Sequence, residues 1–114
     1  MAQGNKNDPL NLTLTEESIL NAILFRERYG LEIMNAIAQA SKGKKKIGFS
    51  SLYPNLRKLE QKGFVTSRWG DETPEENTGA RKRYYQITGS GMTAVNQKQE
   101  YLTALQSLTL ATGI

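Results

Sequence analysis

The sequence predicts a mainly α-helical domain with one small β-hairpin. Three observations support this fold class. Apolar residues recur at helical spacing in four separate segments of the chain. Between the third and fourth segments, two short stretches rich in β-branched and aromatic residues flank a polar stretch that contains glycine, as in an antiparallel hairpin. The length of 114 residues suits a single domain with one modest core.

The first helix is predicted over residues 15–26. Thr13 and Glu16 have the spacing of a capping box, and Thr15 would cap the helix equally well. The apolar side chains behind them fall on one face and are predicted to enter the core: Ile19, Leu20, Ile23 and Leu24. The polar residues 1–14 before this helix are predicted to form a flexible N-terminal arm.

A second helix follows the break at Tyr29-Gly30 and is predicted to end near Ser41. Its inward residues are Ile33, Met34, Ile37 and Ala38. Residues 42–48 then form a loop punctuated by two glycines, and this loop carries three consecutive bases, Lys44, Lys45 and Lys46. The loop directly precedes the third helix, so these bases are candidates for contact with a phosphate beside that helix.

The third helix is predicted over residues 50–62, with Leu52, Leu56 and Leu59 on one buried stripe. Ser50 or Ser51 is predicted to cap it, Pro54 to lie in its first turn, and Gly63 to end it. The remaining faces offer groups that donate to phosphates and base edges: Ser50, Ser51, Tyr53, Asn55, Arg57 and Lys58. An ordinary solvated surface helix would have a similar composition, so the surrounding segments must decide between the two interpretations.

Two strands are predicted next, over residues 64–69 and 81–87, with Arg83, Tyr85 and Ile87 on one face of the second. The loop between them has an acidic tip, which disfavours contact with an anionic partner: Asp71, Glu72, Glu75 and Glu76. The returning strand, in contrast, begins with three consecutive cations, Arg81, Lys82 and Arg83.

A final helix is predicted from about residue 90 to residue 109, capped by Thr88. Its apolar side chains form an interrupted stripe: Met92, Val95, Tyr101, Leu102, Leu105 and Leu108. Because soluble monomers seldom expose a leucine-rich face, this stripe is predicted to be a dimer interface with a second copy of the chain. The alternative is that the stripe packs across the chain's own first helix.

Composition limits the possible functions. The net charge is +4, and residues 42–68 contain eight bases and a single acid, which favours an anionic partner. Without histidine or cysteine, the usual zinc sites and thiol- or histidine-based catalysis are excluded. The acids form no paired constellation, so we expect neither an enzyme nor a metal or other cofactor. No apolar run is long enough to cross a bilayer and no signal-peptide pattern opens the chain; with cysteine absent, a cytoplasmic location is expected.

The order of helices, basic loop, strands and final helix is that of a winged helix-turn-helix. The stretch Leu52-Tyr53-Pro54-x-Leu56-x-x-Leu59-Glu60-x-x-Gly63-Phe64-Val65 closely resembles the L-Y-P-x-L-x-x-L-E-x-x-G-L-V signature of PadR-like transcriptional regulators. Tyr84-Tyr85-Gln86-Ile87-Thr88-x-x-Gly91 is similar to that family's Y-Y-x-L-T-x-x-G, and Gly30-Leu31-Glu32-Ile33 is similar to its G-Y-E-I. The resemblance spans about residues 17–95, and the single last helix resembles the short branch of the family.

The resemblance implies a winged helix-turn-helix DNA-binding domain over residues 15–88 and a C-terminal dimerisation helix over residues 89–114. It also implies a sequence-specific regulator, a repressor, that binds a palindromic operator in double-stranded DNA as a homodimer. The third helix would then enter the major groove. The expected DNA-binding residues are Lys44, Lys45, Lys46, Ser50, Ser51, Tyr53, Asn55, Arg57, Lys58, Arg81, Lys82 and Arg83.

Two departures from the family pattern bear on function. Leu31 replaces the usual tyrosine, and Ser50-Ser51 replaces Gly-Thr. In some relatives small aromatic ligands bind between protomers, but here the last helix offers only Tyr101, and Trp69 lies at the start of the wing. A ligand-gated regulator therefore remains one alternative, although the sequence gives a small-molecule effector no support. The other alternative is a protein-interaction module that uses the acidic tip and the arm. The cationic segment at residues 42–68 favours DNA over both.

Overall fold

The computed structural model describes residues 8–71 and 81–112, with side chains up to residue 108. After a short 3-10 turn, Pro9–Asn11, the described elements are α1 (Leu14–Ala22), β1 (Arg28–Tyr29), α2 (Gly30–Ala40), α3 (Phe49–Gln61), β2 (Val65–Trp69), β3 (Arg83–Ile87) and α4 (Gly89–Thr112). This architecture confirms the predicted mainly α fold with a small antiparallel sheet. None of the helices in the described ranges is long and apolar enough to cross a membrane.

Helix α1 begins with the predicted capping box. The Thr13 hydroxyl accepts the Glu16 N–H at 3.1 Å, and the Glu16 carboxylate accepts the Thr13 N–H at 2.9 Å. The helix ends at Ala22 rather than near residue 26. The Arg28 guanidinium donates to the Ala22 carbonyl at 2.7 Å, which satisfies one of the terminal carbonyl groups of the helix.

The sheet contains a strand that the sequence did not predict. Strand β1 pairs with β3, placing Arg28 opposite Tyr85 and Tyr29 opposite Tyr84, so the strand order is β1-β3-β2. The predicted β2–β3 hairpin is confirmed, with its register running from Val65 opposite Ile87 to Trp69 opposite Arg83. Strand β1 was not predicted because a two-residue strand is too short to show an alternating pattern.

The start of α3 also differs from the prediction. Gly48 is the N-cap residue, and Ser50 and Ser51 lie within the first turn instead of capping it. Pro54 lies inside the helix rather than in its first turn. Because proline has no N–H, the Ser50 carbonyl lacks its usual intrahelical donor. Ser50 is exposed, so water can replace that donor.

The end of α3 is as predicted. Gly63 has a positive φ of 79°, a conformation that favours glycine. Its N–H donates to the Glu60 carbonyl at 3.0 Å, and the Phe64 N–H donates to the Leu59 carbonyl at 3.0 Å. These two bonds form a Schellman motif that turns the chain directly into β2.

The helices and the sheet enclose one hydrophobic core, and the predicted stripes of the first three helices supply most of it. The buried hydrophobic residues are Leu12, Ile19, Leu20, Ile23, Ile33, Ile37, Leu52, Leu56, Leu59, Phe64, Val65, Tyr85, Ile87 and Ala94. Leu24 and Met34, also predicted to point inward, are partly buried against this core. The buried leucine stripe of α3 fixes which face of that helix is exposed.

Thr88 joins α4 to the end of α3. Its hydroxyl accepts the Gly91 N–H at 3.0 Å, as an N-cap residue does, and donates to the Gly63 carbonyl at 2.6 Å. Helix α4 runs to Thr112, beyond the predicted end. Its first half packs on the body, where the Lys98 ammonium donates to the Leu12 carbonyl at 3.1 Å. The second half of α4 therefore extends from a first half that is fixed to the rest of the chain.

Candidate nucleic-acid interface

The outward surface of α3 carries the polar and cationic side chains that the sequence indicated. Ser50, Arg57 and Lys58 are exposed, and Tyr53 is 37% exposed. The α3 leucines on the opposite side are fully buried, so this surface is fixed in its orientation relative to the core. Arg57 and Lys58 make no salt bridge with any described residue. Their charges remain available to an anionic partner.

Ser51 and Asn55 are less accessible than their neighbours. Both are half-buried, and the Asn55 amide donates to the Ser51 carbonyl at 2.8 Å. This bond lies within α3 and holds the amide against the helix surface. The bond uses one of the two Asn55 amide N–H groups, so a contact with a base edge would use the second N–H or the Oδ1 atom.

Tyr53 is held by the close approach of α3 to the start of α2. A side chain at Gly30 would collide with the Tyr53 hydroxyl, so the glycine creates the space that the phenol ring occupies. Phe49 stacks on Tyr53 with ring centroids 5.7 Å apart and an interplanar angle of 11°. Phe49 was missed because the helix was predicted to begin at residue 50. Recognising Gly48 as the N-cap residue would have found it.

The three cations at the base of the wing lie beside aromatic rings or backbone carbonyls. The Arg83 guanidinium lies 4.9 Å from the Trp69 ring centroid, and the Lys82 ammonium lies 5.3 Å from that of Tyr29. The Arg81 Nε donates to the Gly70 carbonyl at 3.4 Å. Burial raises the pKa of the Tyr85 hydroxyl, and the nearby Arg83 opposes this effect.

The first turns of α3 and the base of the wing meet in a cleft of about 490 Å³. The cleft brings together four residues of the predicted site with six that were not predicted, and its lining residues are Tyr29, Gly30, Leu31, Phe49, Tyr53, Trp69, Arg81, Lys82, Arg83 and Tyr85. No signal in the sequence joins Tyr29 to Trp69, because they are brought together only by pairing β1 and β2 with β3. The result is a surface that is both cationic and aromatic.

The lysines of the basic loop differ in accessibility. Lys44 and Lys46 are exposed, whereas Lys45 is half-buried. The Lys45 ammonium donates to the Thr15 hydroxyl at 3.3 Å, close to the start of α1. Lys44 and Lys46 are therefore better placed than Lys45 to contact an external phosphate.

Two bases of the cationic segment at residues 42–68 are neutralised by acids outside it. Lys62 pairs with the buried Glu16 at 2.9 Å, and Arg68 forms a two-contact pair with Glu27. Burial alone would raise the pKa of Glu16, but the Thr13 N–H and the Lys62 ammonium lower it overall. A hydrogen bond from Arg68 lowers the pKa of Glu27. The charge count over this segment therefore overstated the positive charge available to a partner.

The predicted dimer surface on α4 is mostly exposed. The relative exposures are 43% for Met92, 45% for Tyr101, 41% for Leu102, 45% for Leu105 and 61% for Leu108. Val95 differs because it is partly buried and packs against the core of its own chain. The exposed part of the stripe thus lies mainly in the second half of α4.

Some expected features lie outside the described residues, including most of the acidic wing tip and the first half of the N-terminal arm. Within residues 8–71 and 81–112, no group of three or more acidic, histidine or cysteine residues is placed to hold a metal ion.

Comparison with known proteins connects this geometry to a family. Residues 19–97 match the sequence profile of the Transcriptional regulator PadR-like family. An uncharacterised protein of Lysinibacillus sphaericus is 33% identical over 73 residues, which are 64% of this chain. The chain spans 63% of the length of that relative.

Several solved structures share the fold. A transcriptional regulator from Clostridium thermocellum is 27% identical with a TM-score of 0.68, over 85% of this chain and 87% of that one. RosR of H. salinarum is 26% identical with a TM-score of 0.66, over 85% of this chain and 79% of that one. PadR of Bacillus subtilis, in complex with operator DNA, is 24% identical with a TM-score of 0.65, over 76% of this chain and 48% of that one. The last comparison shows a shared fold.

Proposed function

Because the chain belongs to the Transcriptional regulator PadR-like family, we propose that it is a sequence-specific repressor that binds a palindromic operator as a homodimer. It acts without catalysis and without a cofactor, in the cytoplasm, by occupying double-stranded DNA. The family consists of transcriptional regulators, and the B. subtilis relative with the same fold has been captured on operator DNA.

The observation that carries this proposal is the meeting of α3 and the base of the wing in one cationic surface. Arg81, Lys82 and Arg83 line the same cleft as the first turns of α3. A protein-interaction module would have no need to align these cations with a helix that presents further bases. A DNA duplex does need both, because its phosphates flank each groove.

In the proposed complex, α3 enters the major groove with its first turn foremost. Gly48 provides no side-chain cap, so the first N–H groups of α3 can donate to a phosphate, together with the Ser50 hydroxyl. Arg57 and Lys58, with the exposed lysines of the preceding loop, neutralise phosphates on either side. The wing cations hold the adjacent part of the backbone.

Dimerisation is proposed through the second half of α4. One recognition helix reads too few base pairs for useful specificity, and two must be held about one helical turn, ~34 Å, apart. The exposed leucines Leu102, Leu105 and Leu108 form a face that a second copy of the chain would cover.

Selection of bound DNA from random duplexes by the purified protein tests this function. The expected result is a palindromic consensus, which reports sequence-specific binding and two-fold symmetry together. Electrophoretic titration with the selected duplex should then give a dimer on each site. Recovery of unrelated sequences with no enrichment would contradict sequence-specific binding and favour the protein-interaction alternative.

The cleft also favours a second candidate function, a regulator gated by a small aromatic ligand. Five aromatic residues from four separate segments of the chain line the cleft: Tyr29, Phe49, Tyr53, Trp69 and Tyr85. Trp69 is the single tryptophan of the chain and is 52% exposed, so its fluorescence reports directly on occupancy of the cleft. Saturable quenching by 2-naphthoate, with release of bound DNA, would support this candidate. Quenching without saturation would contradict it.

A further inference from the structure

Phe49 is an exposed aromatic residue at the first position of α3. It is 52% exposed, although folding usually buries phenylalanine. The next two residues, Ser50 and Ser51, are polar. Phe49 therefore gives the first turn of the proposed recognition helix its large apolar surface.

The ring of Phe49 is held in place by a chain of contacts. It lies nearly parallel to the Tyr53 ring one turn later, at 5.7 Å between centroids. Tyr53 in turn fills the space that the missing side chain of Gly30 leaves beside α2. Because the ring is already ordered, it loses little conformational freedom when it contacts a partner.

Thymine is the base whose major-groove edge carries an apolar group, the 5-methyl group, and phenylalanine is one of the side chains that suit it. The residues at the N-terminal end of a recognition helix are those that reach base edges. We infer that Phe49 contacts the 5-methyl group of a thymine in each half-site and makes that thymine part of the operator's sequence. This inference rests on the proposed DNA-binding function.

The polar residues nearby are less suited to this position. The Asn55 amide is held by the Ser51 carbonyl at 2.8 Å, and Ser51 is half-buried. The Ser50 hydroxyl and the first N–H groups of α3 suit a phosphate. An apolar contact from Phe49 would add sequence information that these groups do not provide.

The test uses the consensus duplex recovered by selection, in which each thymine is replaced singly by deoxyuridine. This change removes the methyl group and keeps the base pair. With the wild-type protein, deoxyuridine at one position of each half-site should weaken binding about fourfold per half-site, because one methyl group is no longer buried. With Phe49→Ala, the thymine and deoxyuridine duplexes should bind equally well at that position. Phe49→Leu should retain part of the discrimination.

Phe25→Ala is the matched control, because Phe25 is 94% exposed and follows α1 rather than beginning α3. It should keep the full preference for thymine, and thermal unfolding should show that both alanine variants are folded. The inference is overturned if no deoxyuridine position weakens wild-type binding, or if Phe49→Ala keeps the discrimination. Absence of any selected consensus is a different result, since it contradicts the DNA-binding function itself.

Discussion

At the scale of single residues, two contacts determine how α3 is presented. Gly30 lets α2 approach the Tyr53 phenol, and Glu16 anchors the other end of α3 through Lys62. Neither contact adds a cation to the proposed DNA surface, because Lys62 is paired with Glu16. Both fix the position of the helix that carries that surface.

Gly30→Ala should destabilise the fold by about 1–3 kcal/mol, because the added methyl group displaces the Tyr53 ring. Denaturant titration measures this change. Tyr53→Phe removes the hydroxyl that the methyl group meets, so the double variant should lose less stability than the two single changes added together. Gly89→Ala meets no atom within 4 Å and is the control. Strict additivity of Gly30→Ala and Tyr53→Phe would contradict the clash.

The pair of Glu16 and Lys62 should make stability depend on pH. The folded-state pKa of Glu16 lies below that of an unperturbed glutamate, so its contribution is fully present above the unperturbed pKa. The contribution is lost as the pH falls through the lower folded-state pKa. Glu16→Gln should cost about 1–3 kcal/mol at pH 7 and less in acid.

Urea titrations from about pH 7 down to about pH 3, a range that spans the unperturbed pKa of a glutamate, measure this dependence. Glu100→Gln, an exposed residue on α4, controls for the loss of one negative charge. A constant difference between Glu16→Gln and the wild type over the whole pH range would show that the charge of Glu16 does not contribute.

At the scale of elements, α4 has two parts with different surroundings. Its first half is fixed to the body by Ala94, Val95 and Lys98. Its second half presents an exposed leucine face. The first part therefore contributes to the fold, and the second is the part proposed to form the dimer.

Leu102→Glu combined with Leu105→Glu should give a folded monomer, because burying two carboxylates against a second copy is strongly unfavourable. Sedimentation measures the assembly state. The variant should lose specific DNA binding and keep a weak, salt-sensitive affinity for any duplex. Thr103→Glu combined with Ser107→Glu places the same charges on the opposite face of α4 and should remain dimeric. A dimer with full operator affinity in the leucine variant would place the interface elsewhere.

At the scale of the whole molecule, the available charge is smaller than the sequence suggests. Lys62 and Arg68 are paired within the chain, and Lys45 is directed at α1. The other cations predicted to bind DNA lie on the basic loop, the outward face of α3 and the base of the wing. Electrostatic binding should depend on these three groups together.

The affinity for DNA should fall steeply with salt. About six phosphate contacts per dimer give a slope of about −5 for log affinity against log salt, and any further contacts make the slope steeper. Arg57→Gln should weaken binding to all duplexes alike and flatten the slope by about 2, one contact from each protomer. Arg26→Gln, a change of an exposed cation after α1, should leave the slope unchanged. A salt-independent complex would contradict the electrostatic proposal.

The sequence by itself determined the helices and the hairpin, because those signals are local. Periodic apolar residues gave the buried stripes, the Thr13–Glu16 spacing gave the capping box, and Gly63 gave the end of α3. The family signature was also readable, since its motifs occupy continuous stretches that match over residues 19–97. Each of these features depends on side chains within a few residues of one another.

Only the tertiary structure decided what lies around α3. The strand β1 is too short to be predicted and exists because β3 offers it backbone partners. The cleft forms because β1 and β2 pair with β3, which brings Tyr29 and Trp69 toward Phe49. The true charge of the surface also depended on folding, since Glu16 and Glu27 reach their basic partners across the chain. Contacts between residues far apart in sequence have no local pattern, so the fold alone could reveal them.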